Sequence, residues 1–315
     1  MTDTVQTKKS GGFSDLRKMF GGSQSSARQF GILASLVVIV VFFQVATGGK
    51  TLDPGNLINI VNQYSYILIL AIGMVMVIIM GHIDLSVGSV AAFVGIIVAK
   101  SMADWDVPWP LAIALGLVVG VLVGAWQGFW VAYVGVPAFI VTLAGMLIFR
   151  GLALVVLGNA NIGSFPEEYR ALGNGFTKNW FFTDAAIDPL TLAVAAIALI
   201  AFVVQQVRTR NARVKYEQHV DPLPWFITKL VLVIVAIGFF AYALASYKGI
   251  PVTLIVLAVL VLVYGIVMAR SVFGRHIYAI GGNRHAAELS GVKARRVDFF
   301  LFVNMGFLAA LAGLI

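Results

Sequence analysis

The sequence predicts an all-α fold, a polytopic bundle of transmembrane helices, and three observations support this prediction. Of its 315 residues, 60% are hydrophobic and only 11% are charged, whereas soluble domains carry about 25% charged residues. The apolar residues fall in long runs, several near the roughly 20 residues that an α-helix needs to cross a bilayer. Polar or Pro/Gly breakers bound several runs, for example Asp188-Pro189 and Gly249-Ile250-Pro251.

The predicted organisation is a polar tail followed by one transmembrane domain. Residues 1–29 are rich in glycine and serine and are expected to be disordered, and the domain covers residues 30–315. Nine candidate membrane segments lie at 30–47, 64–80, 87–99, 109–131, 138–157, 190–207, 226–246, 251–269 and 299–315. The first is expected to be an uncleaved signal anchor, because the tail is long and no clear cleavage pattern follows. The last reaches Ile315 inside an apolar run, so we expect the sequence to be a piece of a longer chain.

The distribution of basic residues predicts the orientation of these segments. With the N-terminus in the cytoplasm, the inside segments hold 15 Lys and Arg residues and the outside segments hold 5. Cytoplasmic loops carry such an excess, so this orientation is favoured. It requires an even number of crossings between residues 64 and 99, either two spans or a re-entrant hairpin. The formal charge of +8 is then explained by cytoplasmic loops, and no nucleic-acid partner is expected.

The fourth segment carries a stripe of glycines at four-residue spacing. The stripe consists of Gly116, Gly120, Gly124 and Gly128. Such a stripe lets the backbone of another helix approach closely. It can serve as a moving or pore-lining seam or as a static packing contact, and static packing is favoured because small-residue stripes are common helix contacts.

The segment 81–89, with the sequence GHIDLSVGS, joins the second and third membrane segments. Asp84 is an ionisable group close to membrane depth, which makes it a candidate for proton relay or cation binding. Asp84 or Ser86 can instead cap the third helix, and this interpretation is favoured because Asp and Ser are preferred at helix starts. Together with Gly88, these residues form a predicted helix-break motif.

Several polar and aromatic residues in or beside the spans are candidates for a translocation path. They are Asn62, Gln63, Trp126, Gln127, Thr142 and Arg150. Amides match sugar hydroxyls and aromatic rings stack on C–H faces, so these residue types suit a sugar. The same groups also join membrane helices, and that role is favoured for each residue alone, including Arg150.

The loop 270–298 holds six basic residues against two acidic ones and contains a predicted short helix. Asn283 can cap the start of this helix, and Gly291 can end it in the left-handed conformation. A capped helix of about two turns between membrane spans indicates a docking element rather than a plain connector.

The sequence lacks the usual signatures of catalysis. No P-loop motif GxxxxGK[ST] is present, so the chain is not expected to hydrolyse ATP itself. The four histidines show no metal-ligand spacing, and there is no cysteine, no dinucleotide fingerprint and no nucleophile–base constellation. No metal and no other cofactor is therefore expected.

Four segments carry a resemblance to a known family. They are 81–89, 136–143, 149–151 and 273–291. In combination they resemble the permease subunits of bacterial ATP-binding-cassette (ABC) importers for monosaccharides, which include ribose, galactose and xylose permeases. The resemblance covers roughly residues 55–315, and the basic segment 205–230 is most similar to the xylose or multiple-sugar type. His82 departs from the family, which more often has glycine there.

The resemblance implies a multi-pass protein of the bacterial inner membrane with about ten spans, which imports a pentose such as xylose or a hexose. It implies a second permease copy in a homodimer, a cytoplasmic P-loop ATPase subunit, and an extracytoplasmic sugar-binding protein that docks near loop 158–189. By resemblance, the coupling helix that contacts the ATPase comprises Asn283, Ala286, Ala287, Glu288, Leu289, Ser290 and Gly291. Membrane lipid is a further expected partner, including anionic lipid beside loop 270–298.

Two other classes of function compete with this one. An ion-coupled secondary sugar carrier would need an intramembrane carboxylate, and Asp84 is its candidate. A membrane scaffold or receptor is less favoured, because the spans contain polar groups and a glycine stripe.

Overall fold

The computed structural model describes residues 24–158, 162–163, 165–177, 187–218, 220 and 222–315. Residues 1–23 of the predicted tail, and parts of the predicted loop 158–189, lie outside the described residues. The described chain forms twelve α-helices and one π-helical turn, and it contains no β-strand. The helices are α1 (Gln24–Ala46), α2 (Pro54–Ile79), α3 (Val87–Asp104), α4 (Trp109–Phe129), α5 (Ala138–Leu157), α6 (Glu167–Asn174), α7 (Pro189–Lys215), α8 (Leu223–Tyr247), α9 (Val252–Arg270), α10 (Val272–Gly282), α11 (Arg284–Leu289) and α12 (Ala294–Leu314).

The all-α membrane fold predicted from the sequence is confirmed. Eight helices are long and apolar enough to cross a membrane, namely α2, α3, α4 with the π-helical turn Trp130–Val134, α5, α7, α8, α9 and α12. The apolar stretch described within α1, Ser35–Ala46, is shorter.

The helix ends differ from the predicted segments in three informative places. The helix of the second segment begins at Pro54, and the short third segment becomes an 18-residue helix of about 27 Å. α12 begins at Ala294 and not near residue 299, so that Asp298 lies inside a helix and not in the preceding loop. Helices continue through polar flanks until a cap or breaker ends them, which a count of apolar residues does not detect.

The chain divides into two compact units, the first ending at Leu57 and the second running from Ile58 to Ile315. In the first unit, the side chain of Gln44 holds the turn that follows α1. Its Oε1 accepts a hydrogen bond from the backbone N–H of Leu52 at 2.8 Å, and its Nε2 donates to the carbonyl oxygen of Gly49 at 3.0 Å.

The second unit is organised around α12, the most deeply buried of its long helices. In the most apolar 18-residue stretch of α12, 61% of the residues are buried, against 6% in the corresponding stretch of α7. α12 packs most extensively on α4 and then on α3, and α3 packs in turn on α5. α7 packs mainly against α8, so these two helices lie at the periphery of this unit.

Glycines let α4 and α12 meet backbone to backbone. The stripe on α4 consists of Gly116, Gly120, Gly124 and Gly128. A Cβ atom at Gly120 would lie 2.6 Å from the carbonyl oxygen of Gly306, and one at Gly124 would meet the carbonyl oxygen of Phe302. Gly116 faces α3 instead. The stripe therefore leaves no space for a side chain at the centre of the bundle.

We expect Gly120→Ala and Gly124→Ala to lower the midpoint of thermal unfolding in detergent, because the added methyl group would meet backbone atoms that cannot move aside. The cost should be about 1–3 kcal/mol, which is typical of an overpacked site. Gly238→Ala in α8 is the matched control, since a Cβ atom there meets nothing within 4 Å. Equal shifts for all three variants would show that close packing is not what the stripe provides.

Candidate coupling site

The loop between α2 and α3 begins with a glycine-dependent turn. Gly81 adopts a positive φ of 78°, which L side chains rarely adopt. The N–H of His82 donates to the carbonyl oxygen of Val77 at 3.1 Å, and that of Gly81 donates to Ile78 at 2.9 Å. These two bonds close the C-terminus of α2 in a Schellman-type arrangement, and they fix where the His82 side chain leaves the helix.

Asp84 organises the remainder of this loop. Its side chain is only 3% exposed, and Oδ1 accepts hydrogen bonds from the backbone N–H of Ser86 at 2.8 Å and from Ser86 Oγ at 2.6 Å. Burial raises the pKa of the Asp84 carboxyl by more than the two hydrogen bonds from Ser86 lower it. The Ser86 side chain makes no cap bond, although Ser86 occupies the N-cap position of α3 with helical dihedral angles. Of the two predicted caps, only Asp84 meets a backbone N–H at the start of α3, that of Ser86.

Two predicted path residues fasten this loop to neighbouring helices. Gln127 of α4 is buried, and its Nε2 donates to Ser86 Oγ at 2.8 Å. Thr142 of α5 is also buried, and its hydroxyl lies 3.1 Å from the carbonyl oxygen of Ile83 and 2.9 Å from that of Ala138. Its one hydrogen is therefore shared between the loop and its own helix. The loop 81–86 is thus bonded to two membrane helices.

The candidates Asn62, Gln63, Trp126 and Arg150 do not join this cluster. Asn62 of α2 accepts a hydrogen bond from the hydroxyl of Thr253 in α9 at 2.9 Å. The rings of Trp126 and Phe149 meet edge to face with centroids 6.1 Å apart. Gln63 and Arg150 have exposed side chains, and Gly88 lies in the first turn of α3 with open space beside it. The six path candidates therefore do not converge on one cavity.

A buried carboxylate connects the loop 81–86 to the start of the segment 283–291. The sequence did not predict this connection. Asp298 is 2% exposed, and its Oδ1 lies 3.0 Å from His82 Nε2. Because a carboxylate only accepts hydrogen bonds, His82 donates Nε2–H in this arrangement. The guanidinium of Arg284 forms an ion pair with Asp298 Oδ2, and its Nε lies 3.4 Å from Glu288 Oε1. The hydrogen bond to Asp298 raises the pKa of Arg284, so its cation persists at every ordinary pH.

Arg284 is the first residue of α11, the short helix expected in loop 270–298. Asn283 Oδ1 accepts the backbone N–H of Ala286 at 3.0 Å, and Gly291 follows the helix with a φ of 88°. This is the capping geometry that the sequence predicts, although α11 has six residues and not two full turns, and α10 was not anticipated. Ala287 is buried, whereas Leu289 is 77% exposed.

The charged network lines a cavity of about 390 Å³. Its walls come from the loop after α2, the start of α5, the start of α11 and the first turns of α12. The lining includes His82, Ile83, Pro137, Phe139, Arg284 and Asp298. The exposed helix α11 and the buried helix α12 therefore meet at a polar cavity wall, where a displacement of one can reach the other.

No group of three or more His, Asp or Glu side chains suited to a metal ion occurs among the described residues. His219 lies outside those residues. His82 is committed to Asp298, and the structure gives no third ligand beside this pair within the described chain.

Comparison with known proteins assigns the family. A family model described as a branched-chain amino acid transport system permease component matches residues 56–214 and 217–315. The chain belongs to this permease family. It is 37% identical to the xylose transport system permease protein of Haemophilus influenzae over 284 residues, which cover 90% of this chain and 73% of that protein.

Further relatives give the same result. The chain is 35% identical to the xylose transport system permease protein of Escherichia coli K12 over 307 residues, which cover 97% of this chain and 74% of that protein. It is 30% identical to the ribose import permease protein of Haemophilus influenzae, covering 91% of this chain and 68% of that protein. No solved structure matches the chain. The resemblance to monosaccharide importer permeases is confirmed, and the permease is a multi-pass membrane protein.

We expect a double-mutant cycle of Arg284→Gln and Asp298→Asn to give a coupling free energy of about 1.5–3 kcal/mol, because hydrogen bonds to charged groups have about this value. The free energy of unfolding in detergent is the quantity to measure for each variant.

Lys100 and Asp104 provide the matched control pair. Their ion pair of 2.9 Å is spaced i,i+4 on one helix and is more exposed than the Arg284–Asp298 pair, so its coupling should be about 0.3–0.5 kcal/mol. A coupling between Arg284 and Asp298 no larger than that of the control pair would contradict a structural connection through Asp298.

Proposed function

We propose that this permease is the translocation subunit of an ABC importer that carries a monosaccharide, a pentose such as xylose or a hexose, into the cell. The family and the xylose permease relatives support this substrate class. The observation that carries the mechanism is the ion pair between Arg284 on the exposed α11 and Asp298 on the buried α12.

The proposed topology places the N-terminus and the loop 270–298 in the cytoplasm of a bacterium, with the protein in the inner membrane. Residues 1–29 are then a cytoplasmic tail, and 30–315 form the transmembrane permease domain. The excess of Lys and Arg in the segments assigned to the inside supports this orientation. Because the sequence contains no P-loop, a separate cytoplasmic ATPase subunit supplies ATP hydrolysis, and the permease is not itself an enzyme.

α11 and its caps, residues 283–291, are the proposed docking element for the ATPase. Leu289 gives this short helix an exposed apolar tip, and Glu288 adds an exposed charge. A large apolar side chain surrounded by polar groups suits the centre of a protein–protein contact. Ala287 is buried beneath them, so the helix rests on the body of the permease.

The proposed transmission starts at Arg284 and ends in the membrane helices. A displacement of α11 moves Asp298 of α12 through the ion pair and His82 of the loop 81–86 through Asp298. That loop is hydrogen-bonded to Gln127 and Thr142. ATP-driven closure of the ATPase pair would in this way rock the helices between outward-open and inward-open states.

The family supports the remaining parts of the proposed importer. A second permease copy completes the pathway, and an extracytoplasmic sugar-binding protein delivers the sugar at the outer face near loop 158–189. Asn62, Gln63, Trp126 and Arg150 are proposed path residues that the completed assembly would bring to the sugar.

An ion-coupled carrier that uses Asp84 is not favoured. Both hydrogen bonds to the Asp84 carboxylate come from Ser86, two residues away in the same loop. This arrangement gives the carboxylate a local structural partner and explains its burial without an ion cycle.

Uptake of labelled sugars into vesicles tests the proposed function. The full-length permease is assembled with its ATPase and sugar-binding protein, and labelled xylose, ribose and hexoses are compared. We expect uptake of at least one of them to require ATP and both partners and to persist when an ionophore collapses the ion gradients. Uptake that needs no ATPase and stops with the ionophore would support the secondary carrier instead.

The same assay tests the coupling role of α11. Glu288→Lys reverses a charge on the docking element and should reduce ATP-driven uptake about tenfold, the effect of losing about 1.4 kcal/mol at the contact. Glu217→Lys is the matched control, because Glu217 is also exposed and lies on the proposed cytoplasmic side, in the α7–α8 turn. Both variants should reach the membrane in normal amounts. Normal uptake with Glu288→Lys, or an equal loss with Glu217→Lys, would remove the coupling assignment.

A further inference from the structure

The basic end of the α7–α8 hairpin forms a second cavity, of about 330 Å³, that the proposed transport mechanism does not use. It lies mainly in the basic segment 205–230. Among the described residues, its polar lining comprises Gln206, Thr209, Arg210, Arg213 and Lys229.

The cavity follows from helical spacing on two neighbouring helices. On α7, residues 206, 210 and 213 are separated by four and three positions, so they share one face. On α8, residues 226, 229 and 233 recur in the same way. The guanidinium carbon of Arg210 lies 4.9 Å from the centroid of the Phe226 ring, which holds this cation across the gap between the helices.

The lining is divided between cationic groups and apolar side chains. Arg210, Arg213 and Thr209 lie near the C-terminus of α7, and Lys229 joins them from α8. Phe202 lies about one turn deeper than Gln206 on α7, and Val233 lies about one turn deeper than Lys229 on α8. A ligand that fits such a lining has an anionic head and an apolar body.

The hairpin also lies where lipid can reach it. α7 and α8 pack mainly against each other, and few residues in their apolar stretches are buried. Large apolar side chains are exposed along both helices, including Ile197, Ile200, Val231 and Leu232. The outer faces of the two helices therefore suit contact with acyl chains.

We propose that this cavity binds the phosphate headgroup of an anionic phospholipid, with its acyl chains along α7 and α8. Arg and Lys side chains pair with phosphate oxygens, Arg with a bidentate geometry. Basic pockets between transmembrane helices are typical binding places for such headgroups. The bound lipid would fix the peripheral hairpin beside the bundle.

Binding of fluorescent cardiolipin to the detergent-solubilised, full-length permease tests this proposal. Unlabelled cardiolipin and phosphatidylglycerol should compete, whereas the zwitterionic phosphatidylethanolamine should not. Arg213→Gln should weaken cardiolipin binding about fivefold, the effect of one basic residue near anionic lipid. Arg213 is exposed, so this variant should fold normally. The triple variant Arg210→Gln/Arg213→Gln/Lys229→Gln should lose binding further.

Arg208→Gln is the matched control, since Arg208 is exposed on the same helix, carries the same charge and does not line the cavity. Its cardiolipin affinity should equal that of the unmodified permease. Equal losses with Arg208→Gln and Arg213→Gln, or equal competition by phosphatidylethanolamine, would overturn the site. If millimolar inorganic phosphate competes as strongly as lipid does, the cavity is a site for free phosphate, and the proposal of a lipid ligand is wrong.

Discussion

Asp298 binds two side chains that are remote from each other in the sequence. They are His82 from the loop after α2 and Arg284 from the start of α11. A carboxylate that is 2% exposed is costly unless such partners compensate its lost hydration. The position of α11, the start of α12 and the geometry of the loop 81–86 all depend on this interaction. Removal of the carboxylate would leave each of these three elements without the bond that joins it to the others.

The helices behind this interaction are packed so that they can move only together. Gly306 of α12 touches the backbone of α4 at Gly120 and Gly124, with no side chain between them that could change rotamer. Close-packed interiors of this kind transmit displacement and do not absorb it. In the proposed mechanism, a push on Arg284 would therefore reach the centre of the bundle, whereas the peripheral hairpin α7–α8 lies outside this connection.

The sequence was sufficient for the fold class and for the local geometry of α11. Hydropathy located the spans, and Asn283 and Gly291 specified the caps of α11, because capping depends on residue types a few positions apart. It was insufficient for the charged network of His82, Arg284 and Asp298, since His82 and Asp298 are 216 residues apart and no local pattern pairs them. The sequence also did not predict that α12 begins at Ala294, because the first turn of the helix is polar and the apolar run begins later.

A thiol-labelling rate tests the central claim, that α11 acts on the loop 81–86 through Asp298. The sequence contains no cysteine, so Ile83→Cys introduces the one reactive thiol, at an exposed position on the cavity wall. The labelling rate is measured in the complex with the ATPase, with and without bound nucleotide. With Asp298 intact, nucleotide should change the rate several-fold, and with Asp298→Asn this response should be lost while the ATPase remains bound. The same nucleotide response in both backgrounds would contradict transmission through Asp298.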